Sequence, residues 1–157
     1  MCLIMNNNER NEIMTTVRSV LQAKGSDIWS IAPDTMVFDA LKVMAEKNVG
    51  ALLVMIGDQL MGIFSERDYA RKIALKGESS HHIAVRNVMT SGVISVTPDQ
   101  SIEDCMALMT GKHIRHLPVV ENNKLAGMIS IGDVVKAIIS QHEDTIKQLE
   151  NYITGAR

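Results

Sequence analysis

The chain has 157 residues and a formal net charge of −2, which argues against a general nucleic-acid or membrane-surface role because both usually need a strongly basic surface. Hydrophobic residues make up 46% of the chain and aromatic residues only 3%, so the core that it can bury is aliphatic and rich in methionine. No apolar run approaches the roughly 20 residues of a membrane-spanning helix.

Residues 1–14 are predicted to be a disordered leader. They lack the order of charged, apolar and small residues that defines a secretory signal, and a start at Met5 or Met14 is an alternative. Cys2 and Cys105 have no partner at a CxxC spacing, which indicates a reduced, cytoplasmic protein. Cys105 falls on a predicted helix, where a buried small hydrophobe is favoured over a redox group.

The residues that follow the leader predict a β-α-β-β-α unit. A short extended piece at 29–31 ends before Pro33, which cannot continue a strand ladder. Helical spacing of apolar residues begins at Val37 and stops at 48–50. The apolar run 51–56 is typical of a buried strand, and Gly57-Asp58 predicts a hairpin turn. A returning strand over 60–64 leads to Ser65, which caps a second helix.

The same unit occurs twice. When the second half is shifted back by 65 positions it aligns without a gap, as these pairs show: Ser30 with Ser95, Pro33 with Pro98, Asp34 with Asp99, Gly62 with Gly127, Ser65 with Ser130, Asp68 with Asp133. Upstream, 17–21 resembles 85–89, and Glu121-Asn122-Asn123 is the turn of the second copy. An internal repeat of this kind indicates two related units that share a core.

We therefore expect a mixed α/β (α+β) fold. Two tandem β-α-β-β-α motifs, at 15–79 and 80–140, would pack with pseudo-twofold symmetry, because one such unit is too small to bury both faces of its sheet. This packing would leave two related clefts.

A helical extension is predicted over 141–157. It continues an apolar stripe with three- and four-residue steps past the end of the repeat, which includes these residues: Val134, Val135, Ile138, Ile139, His142, Ile146, Leu149, Ile153. Such a stripe has nothing of its own to cover, so we expect a homodimer contact there. The alternative is that the tail folds back onto its own module.

A Gly-hydrophobic-hydrophobic-Ser-x-x-Asp motif closes the second strand pair in each copy. Ser-x-x-Asp before a helix is also the pattern of a capping box, but the usual residue at the last position is Glu or Gln, and Asp is short. A strand-to-helix junction suits a nucleotide, because the helix start offers free N–H groups to a phosphate and a carboxylate can accept both hydroxyls of a ribose.

The duplication, the Pro-Asp pairs, the 115–119 stretch Arg-His-Leu-Pro-Val and the two Ser-x-x-Asp motifs resemble a CBS-domain pair, or Bateman module, over about 17–139. This resemblance implies an adenosine-containing regulatory ligand such as AMP, ATP or NAD. It implies that Asp68 and Asp133 hold the ribose and that Ser65 and Ser130 lie near ribose or phosphate. The resemblance also implies residues that frame the base, and these candidates lie on the first two strands of each copy: Ile31, Ala51, Val96, His116, with Pro118 beside them.

Three arginines are candidate phosphate ligands. Arg67 and Arg71 flank Asp68, and Arg115 leads into a buried strand, where a charged residue usually has a partner. If the motifs pack by pseudo-symmetry, the three could converge on one cleft. A solvated helix face is the alternative for Arg67 and Arg71.

Catalytic and metal sites are not predicted. His113 and His116 would not share a face, and no carboxylate ligand accompanies them. Neither a GxGxxG motif nor a P-loop occurs. The expected function is therefore a non-catalytic module that senses an adenine nucleotide or dinucleotide and acts on an unknown effector protein. The alternative is a structural or interaction protein with unoccupied clefts, and an enzyme is the third hypothesis.

Overall fold

The computed structural model describes residues 15–154. In chain order its labelled elements are these: α1 (Val17–Lys24), β1 (Ser30–Ile31), α2 (Val37–Lys47), β2 (Ala51–Ile56), β3 (Gln59–Ser65), α3 (Glu66–Tyr69), α4 (Ile102–Lys112), β4 (His116–Glu121), β5 (Lys124–Ser130), α5 (Ile131–Thr154). A π-helical turn, Ala70–Ala74, continues α3, and Val85–Asn87 is a short 3-10 helix. The predicted mixed fold with a long C-terminal helix is confirmed, and the predicted leader lies outside the described residues.

The described chain forms two compact units. The first-repeat unit holds 27–95 and 122–125, and the second-repeat unit holds 15–26, 96–121 and 126–154. The predicted motif boundaries, 15–79 and 80–140, follow the sequence repeat, whereas the compact units divide the chain differently. The predicted motif boundaries therefore remain a prediction about the sequence repeat.

The first-repeat unit is built on a sheet of order β1-β2-β3. Strand β1 is parallel to β2, and β2 is antiparallel to β3. Helix α2 ends at Asn48 in the left-handed conformation, and Gly57 makes the β2–β3 turn with φ of 56°, as the sequence predicts. The sheet and the helices bury an aliphatic core around Phe64.

The second-repeat unit has a smaller sheet, β4-β5. The predicted first strand of this copy is reduced to a single parallel bridge between Val96 and Val119. Pro118 is the reason. In the first copy, Leu53 N–H donates to the Trp29 carbonyl at 3.1 Å, whereas Pro118, the equivalent of Leu53, has no N–H to donate.

The segment that precedes each motif packs in the other unit. Arg86 N–H donates to the Pro33 carbonyl at 2.9 Å within the first-repeat unit, and Arg18 N–H donates to the Pro98 carbonyl at 2.9 Å within the second-repeat unit. These bonds are equivalent in the repeat. The similarity of 17–21 to 85–89 therefore reflects the same backbone role in two places.

Helix α5 spans 24 residues, or about 36 Å. Its first turn buries Val134, while Ile139, Ile146, Leu149 and Ile153 are exposed. No helix within 15–154 is long and apolar enough to cross a membrane.

Candidate functional site

Ser65 and Asp68 form a complete capping box at the start of α3. The Asp68 backbone N–H donates to Ser65 Oγ at 3.2 Å. The Ser65 backbone N–H donates in turn to Asp68 Oδ2 at 3.0 Å, and Ser65 Oγ donates to the same oxygen at 3.0 Å. Our expectation that an aspartate is too short for this role is wrong, because the carboxylate reaches back to the cap residue in one short turn.

The other carboxylate oxygen of Asp68 is also occupied. Thr90 Oγ1 donates to Asp68 Oδ1 at 3.0 Å, and the Lys72 ammonium lies 3.0 Å from it. Lys72 also donates to the Val88 carbonyl at 2.8 Å. Asp68 is buried, with 8% of its surface exposed. A ribose at this carboxylate would have to exchange with bonds that the protein itself supplies.

The second copy forms the same capping bonds, but its aspartate pairs with a lysine from a different part of the chain. The Asp133 N–H donates to Ser130 Oγ at 3.2 Å, and the Ser130 N–H donates to Asp133 Oδ2 at 2.9 Å. Here the charge partner is Lys24 at the end of α1, whose ammonium lies 2.6 Å from Oδ2 and also donates to the Met128 carbonyl at 3.0 Å. The Asp133 side chain is 22% exposed, so it is more open than Asp68.

Asp133 is held in its ionised form. Burial alone would raise the pKa of its carboxyl, but the hydrogen bond and charge of Lys24, with the bonds to Ser130, outweigh burial and lower the pKa below its usual value. The site therefore presents a full negative charge at neutral pH, as a ribose-binding carboxylate requires.

Sequence reasoning missed the three residues that occupy these carboxylates. Lys72 had a local signal, because it is four residues after Asp68 on one helix face. Lys24 and Thr90 had none. Each is distant in the chain from its aspartate, and only the packing of the segment before each motif brings it close.

Of the two residues predicted to frame the base in the first copy, one lies beside the Ser65–Asp68 pair and the other does not. Ala51 lies directly opposite Ser65 in the β2–β3 register, and the Gly50 carbonyl accepts from Glu66 N–H at 3.1 Å. Ile31 lies opposite Val54, which is about 10 Å along the strand from Ala51. The structure thus brings Ala51, Ser65 and Asp68 together and leaves Ile31 farther along the sheet.

In the second copy, His116 lies next to the charged pair. Burial lowers the pKa of its imidazole; the Asp133 charge opposes that shift, while Lys24 and Arg115 add to it. Val96 N–H donates to the Pro118 carbonyl at 3.0 Å, which fixes the backbone beside this histidine. His116 is half-buried and can face a ligand as a neutral ring.

The predicted phosphate ligands are all exposed. Arg67 lies on α3 and Arg71 on the π-helical turn of the first-repeat unit. Arg115 precedes β4 in the second-repeat unit, and its carbonyl accepts from Ile131 N–H at 2.8 Å. Their convergence on one cleft remains a prediction.

The glycine of each motif packs closely against another segment of its own compact unit. A Cβ at Gly62 would lie 2.7 Å from the Thr90 carbonyl oxygen, and one at Gly127 would lie 2.8 Å from a methyl carbon of Leu21. The close approach that these glycines permit is therefore to the segments 85–90 and 17–21 of the protein itself.

A cavity of about 570 Å³ adjoins Asp133 in the second-repeat unit, between α1 and α5. Lys24 and Asp133 stand at its wall together with Lys136, and the rest of the lining is mostly small or polar: Thr15, Ser19, Val20, Ala23, Ala137, Ser140, Gln141, Asp144, Thr145, Gln148. The cavity thus offers two ammonium groups and several hydroxyl and amide groups next to an ionised carboxylate.

The surroundings of Cys105 and His113 indicate structural roles for both residues. Cys105 is fully buried, and burial with the neighbouring acidic residues of α4 raises its pKa to about 11, so the thiolate that redox chemistry needs is scarce. His113 ends α4 in the left-handed conformation. Within 15–154 no three His, Cys, Asp or Glu side chains are grouped to hold a metal.

Comparison with known proteins identifies the repeat. The model of the CBS domain matches residues 12–75 and 85–140. The CBS domain-containing protein CBSX3, mitochondrial, of Arabidopsis thaliana is 42% identical over 90% of this chain and 73% of its own length. A protein with CBS domains from Burkholderia ambifaria has a TM-score of 0.78 and 50% identity over 80% of this chain and 95% of that chain.

A more distant structure shares the fold. The CBS domain pair of the protein MJ0100, solved in complex with 5′-methylthioadenosine and S-adenosyl-L-methionine, has a TM-score of 0.71 at 19% identity, over 82% of this chain and 98% of that chain. The two family matches and the relatives that resemble most of the chain agree with the internal repeat. The chain belongs to the CBS-domain family as a tandem pair of CBS domains.

Proposed function

We propose that this CBS pair is a non-catalytic regulatory module that binds an adenosine-containing ligand, AMP, ATP or NAD, with its ribose on Asp133. CBS-domain pair proteins are regulatory modules. The observation that carries the proposal is an ionised, partly exposed carboxylate at a strand-to-helix junction, beside a cavity of about 570 Å³. The adenosine compounds bound to MJ0100 are consistent with this ligand class.

Asp133 is the better of the two candidate carboxylates. Its side chain is 22% exposed, whereas that of Asp68 is 10% exposed, and Asp68 has two partners on its second oxygen. Fewer protein bonds have to be exchanged at Asp133, so we expect it to be occupied at lower ligand concentration. Occupation of the first site requires displacement of Thr90 or Lys72 from Asp68.

The lysines of the cavity suit a phosphate. A ribose diol that donates two hydrogen bonds to Asp133 competes with Lys24 for the carboxylate oxygens. An ammonium displaced by the diol remains within reach of the ligand, and Lys136 lines the same cavity. A ligand with a phosphate can therefore compensate Lys24 for the lost ion pair, whereas plain adenosine cannot.

Binding would be transmitted through α1. Lys24 ties the end of α1 to the first turn of α5. A ligand that binds only when this tie is broken stabilises a second arrangement of the two helices, which is the differential affinity that regulation requires. An effector protein that contacts α1 or α5 would sense the change.

Calorimetric titration with AMP, ATP, NAD and adenosine tests the proposal. Asp133→Asn keeps the shape of the side chain and removes its charge. We expect this substitution to weaken AMP binding about ten- to a hundredfold, which corresponds to the loss of a charged hydrogen bond. Asp68→Asn is the matched control and should have a smaller effect at low AMP concentration. Unchanged binding in both single variants and the double variant would overturn the assignment.

The second candidate function is that of an interaction protein with unoccupied clefts. Both Ser-x-x-Asp motifs form capping bonds, and both aspartates are paired with a lysine, so neither motif needs a ligand to be satisfied. Mass spectrometry of small molecules released when the purified protein is denatured distinguishes the two functions. Conversion of an added nucleotide would instead indicate an enzyme. The cytoplasmic location remains a prediction from the sequence.

A further inference from the structure

The exposed stripe of α5 has the spacing of a coiled-coil seam. Its members alternate in steps of four and three residues along the helix: Val135, Ile139, His142, Ile146, Leu149, Ile153. Isoleucines occupy every a position of this heptad pattern. Ile146 is 55% exposed, Leu149 57% and Ile153 80%, so within the described chain the later part of the seam lacks a packing partner.

The opposite side of the helix is already used. Ala137, Ser140, Gln141, Asp144 and Gln148 line the cavity beside α1, and so do Lys136 and Thr145, which flank the seam. No seam residue is among the lining residues, so the seam itself does not face that cavity. The helix therefore has one face turned to its own unit and one apolar face turned outward.

Charges along the seam indicate which partner would cover it. Lys136 flanks the seam near its start and Glu150 flanks it near its end, both at the e position, about 21 Å apart along the helix. In an antiparallel pair of identical helices, e positions face e positions, so each Lys136 meets a Glu150. Ile138 and Tyr152, at the g positions, meet in the same way. The surface is thus complementary to itself when reversed.

We propose that α5 pairs antiparallel with α5 of a second copy of this chain. Val135 then packs on the partner's Ile153, Ile139 on the partner's Leu149, and His142 on the partner's Ile146. The twofold axis crosses the seam midway between His142 and Ile146. The pairing gives two Lys136–Glu150 contacts and one contact between the two Glu143 side chains, so opposite charges outnumber like charges.

A parallel pair would be less favourable. It would place His142 against the partner's His142 in the centre of the seam and would separate Lys136 from the partner's Glu150 by two heptads. It would form no contact of opposite charge between e and g positions, because the g residues Ile138, Thr145 and Tyr152 carry no charge. The antiparallel orientation is therefore the specific content of the proposal.

Disulfide cross-linking of the full chain tests the orientation. In a Cys2→Ser background, with the buried Cys105 retained, the antiparallel pairing predicts rapid cross-linking of a mixture of Ile139→Cys and Leu149→Cys chains. It predicts little cross-linking of Ile139→Cys alone, because the two copies of that residue lie about 15 Å apart along the paired helices. Rapid cross-linking of Ile139→Cys alone, or none in the mixture, would overturn the proposal.

Sedimentation across dilution tests the contact itself. Ile146→Glu should weaken the dimer at least tenfold, whereas Asn151→Glu, on an outer position of the same helix, should not. Lys136→Glu and Glu150→Lys should each weaken the dimer, and the double reversal should restore it at least in part. Circular dichroism confirms that each variant is folded. A monomeric wild-type protein at high concentration, or a double reversal no better than the single ones, would contradict the pairing.

Discussion

Lys24 closes an ion pair of 2.6 Å on Asp133 and thereby joins the last turn of α1 to the first turn of α5. The two residues are distant in the chain and come from the two ends of one compact unit. Lys24 occupies the carboxylate that a nucleotide ribose would use. The protein therefore carries its own competitor for the carboxylate at which we propose that the ribose binds.

Replacement of Lys24 by methionine should have opposite effects on two ligands. The affinity for plain adenosine should rise by about threefold, the equivalent of a partly exposed ion pair of about 0.6 kcal/mol, because the ribose no longer competes with an ammonium. AMP should gain less or bind more weakly, because it loses a phosphate contact. Titration calorimetry measures both values, and Lys124→Met on an exposed lysine is the control. Equal changes for the two ligands would contradict this role of Lys24.

Asp68 should contribute more to stability than Asp133. Asp68→Ala removes a buried carboxylate that accepts the capping bonds of Ser65 and also binds Thr90 and Lys72, so we expect a loss of about 2–3 kcal/mol in the free energy of unfolding. Asp133→Ala removes a capping residue from a more open site, with an expected loss of about 1 kcal/mol. Urea unfolding measures both. A larger loss for Asp133 than for Asp68 would show that the assignment of the tighter network is wrong.

The two motif glycines should differ in their tolerance of alanine. At Gly62 the new methyl group would press on the Thr90 backbone oxygen at 2.7 Å, whereas at Gly127 it would meet a Leu21 methyl group at 2.8 Å. A backbone atom can yield less than the end of a side chain, so Gly62→Ala should cost about 2 kcal/mol and Gly127→Ala about 1 kcal/mol. Both glycines occupy equivalent strand positions, so strand propensity cancels in the comparison. Thermal unfolding of the two variants gives the order directly.

Stability should fall between about pH 7 and pH 5 in part because of His116. Burial lowers the pKa of this imidazole in the folded protein, from an ordinary value of about 6.5. As the pH falls through that value, the unfolded chain takes up a proton before the folded chain does, so the free energy of unfolding decreases. His116→Gln should flatten the curve in this range. Asp133 affects stability only at lower pH, because the pKa of its carboxyl group lies below the usual value for an aspartate. An identical slope in wild type and variant would contradict the burial of a neutral His116.

Local elements were predictable because each had a local cause. The apolar run 51–56 became β2, Asn48 ended α2 in the left-handed conformation, and Gly57 turned the hairpin. The reduction of the short first strand of the second copy to a single bridge at Val96 also has a local cause, the missing N–H of Pro118.

The missed features depend on which distant segments pack together. Nothing near Asp133 in the sequence indicates that Lys24 will reach it, and nothing near Gly62 indicates that Thr90 will cover it. The capping geometry of Asp68 was misjudged for another reason, since side-chain length was weighed without the actual turn. The candidate serines and aspartates were found because the repeat places them in register, whereas their partners are not repeated.

The most direct test of the account is a crystal structure of the full chain grown with AMP. We expect the ribose hydroxyls at hydrogen-bond distance from the Asp133 carboxylate, about 2.6–2.8 Å, with the Lys24 ammonium moved from that carboxylate towards the phosphate. AMP bound elsewhere while the Lys24–Asp133 pair stays closed would contradict it.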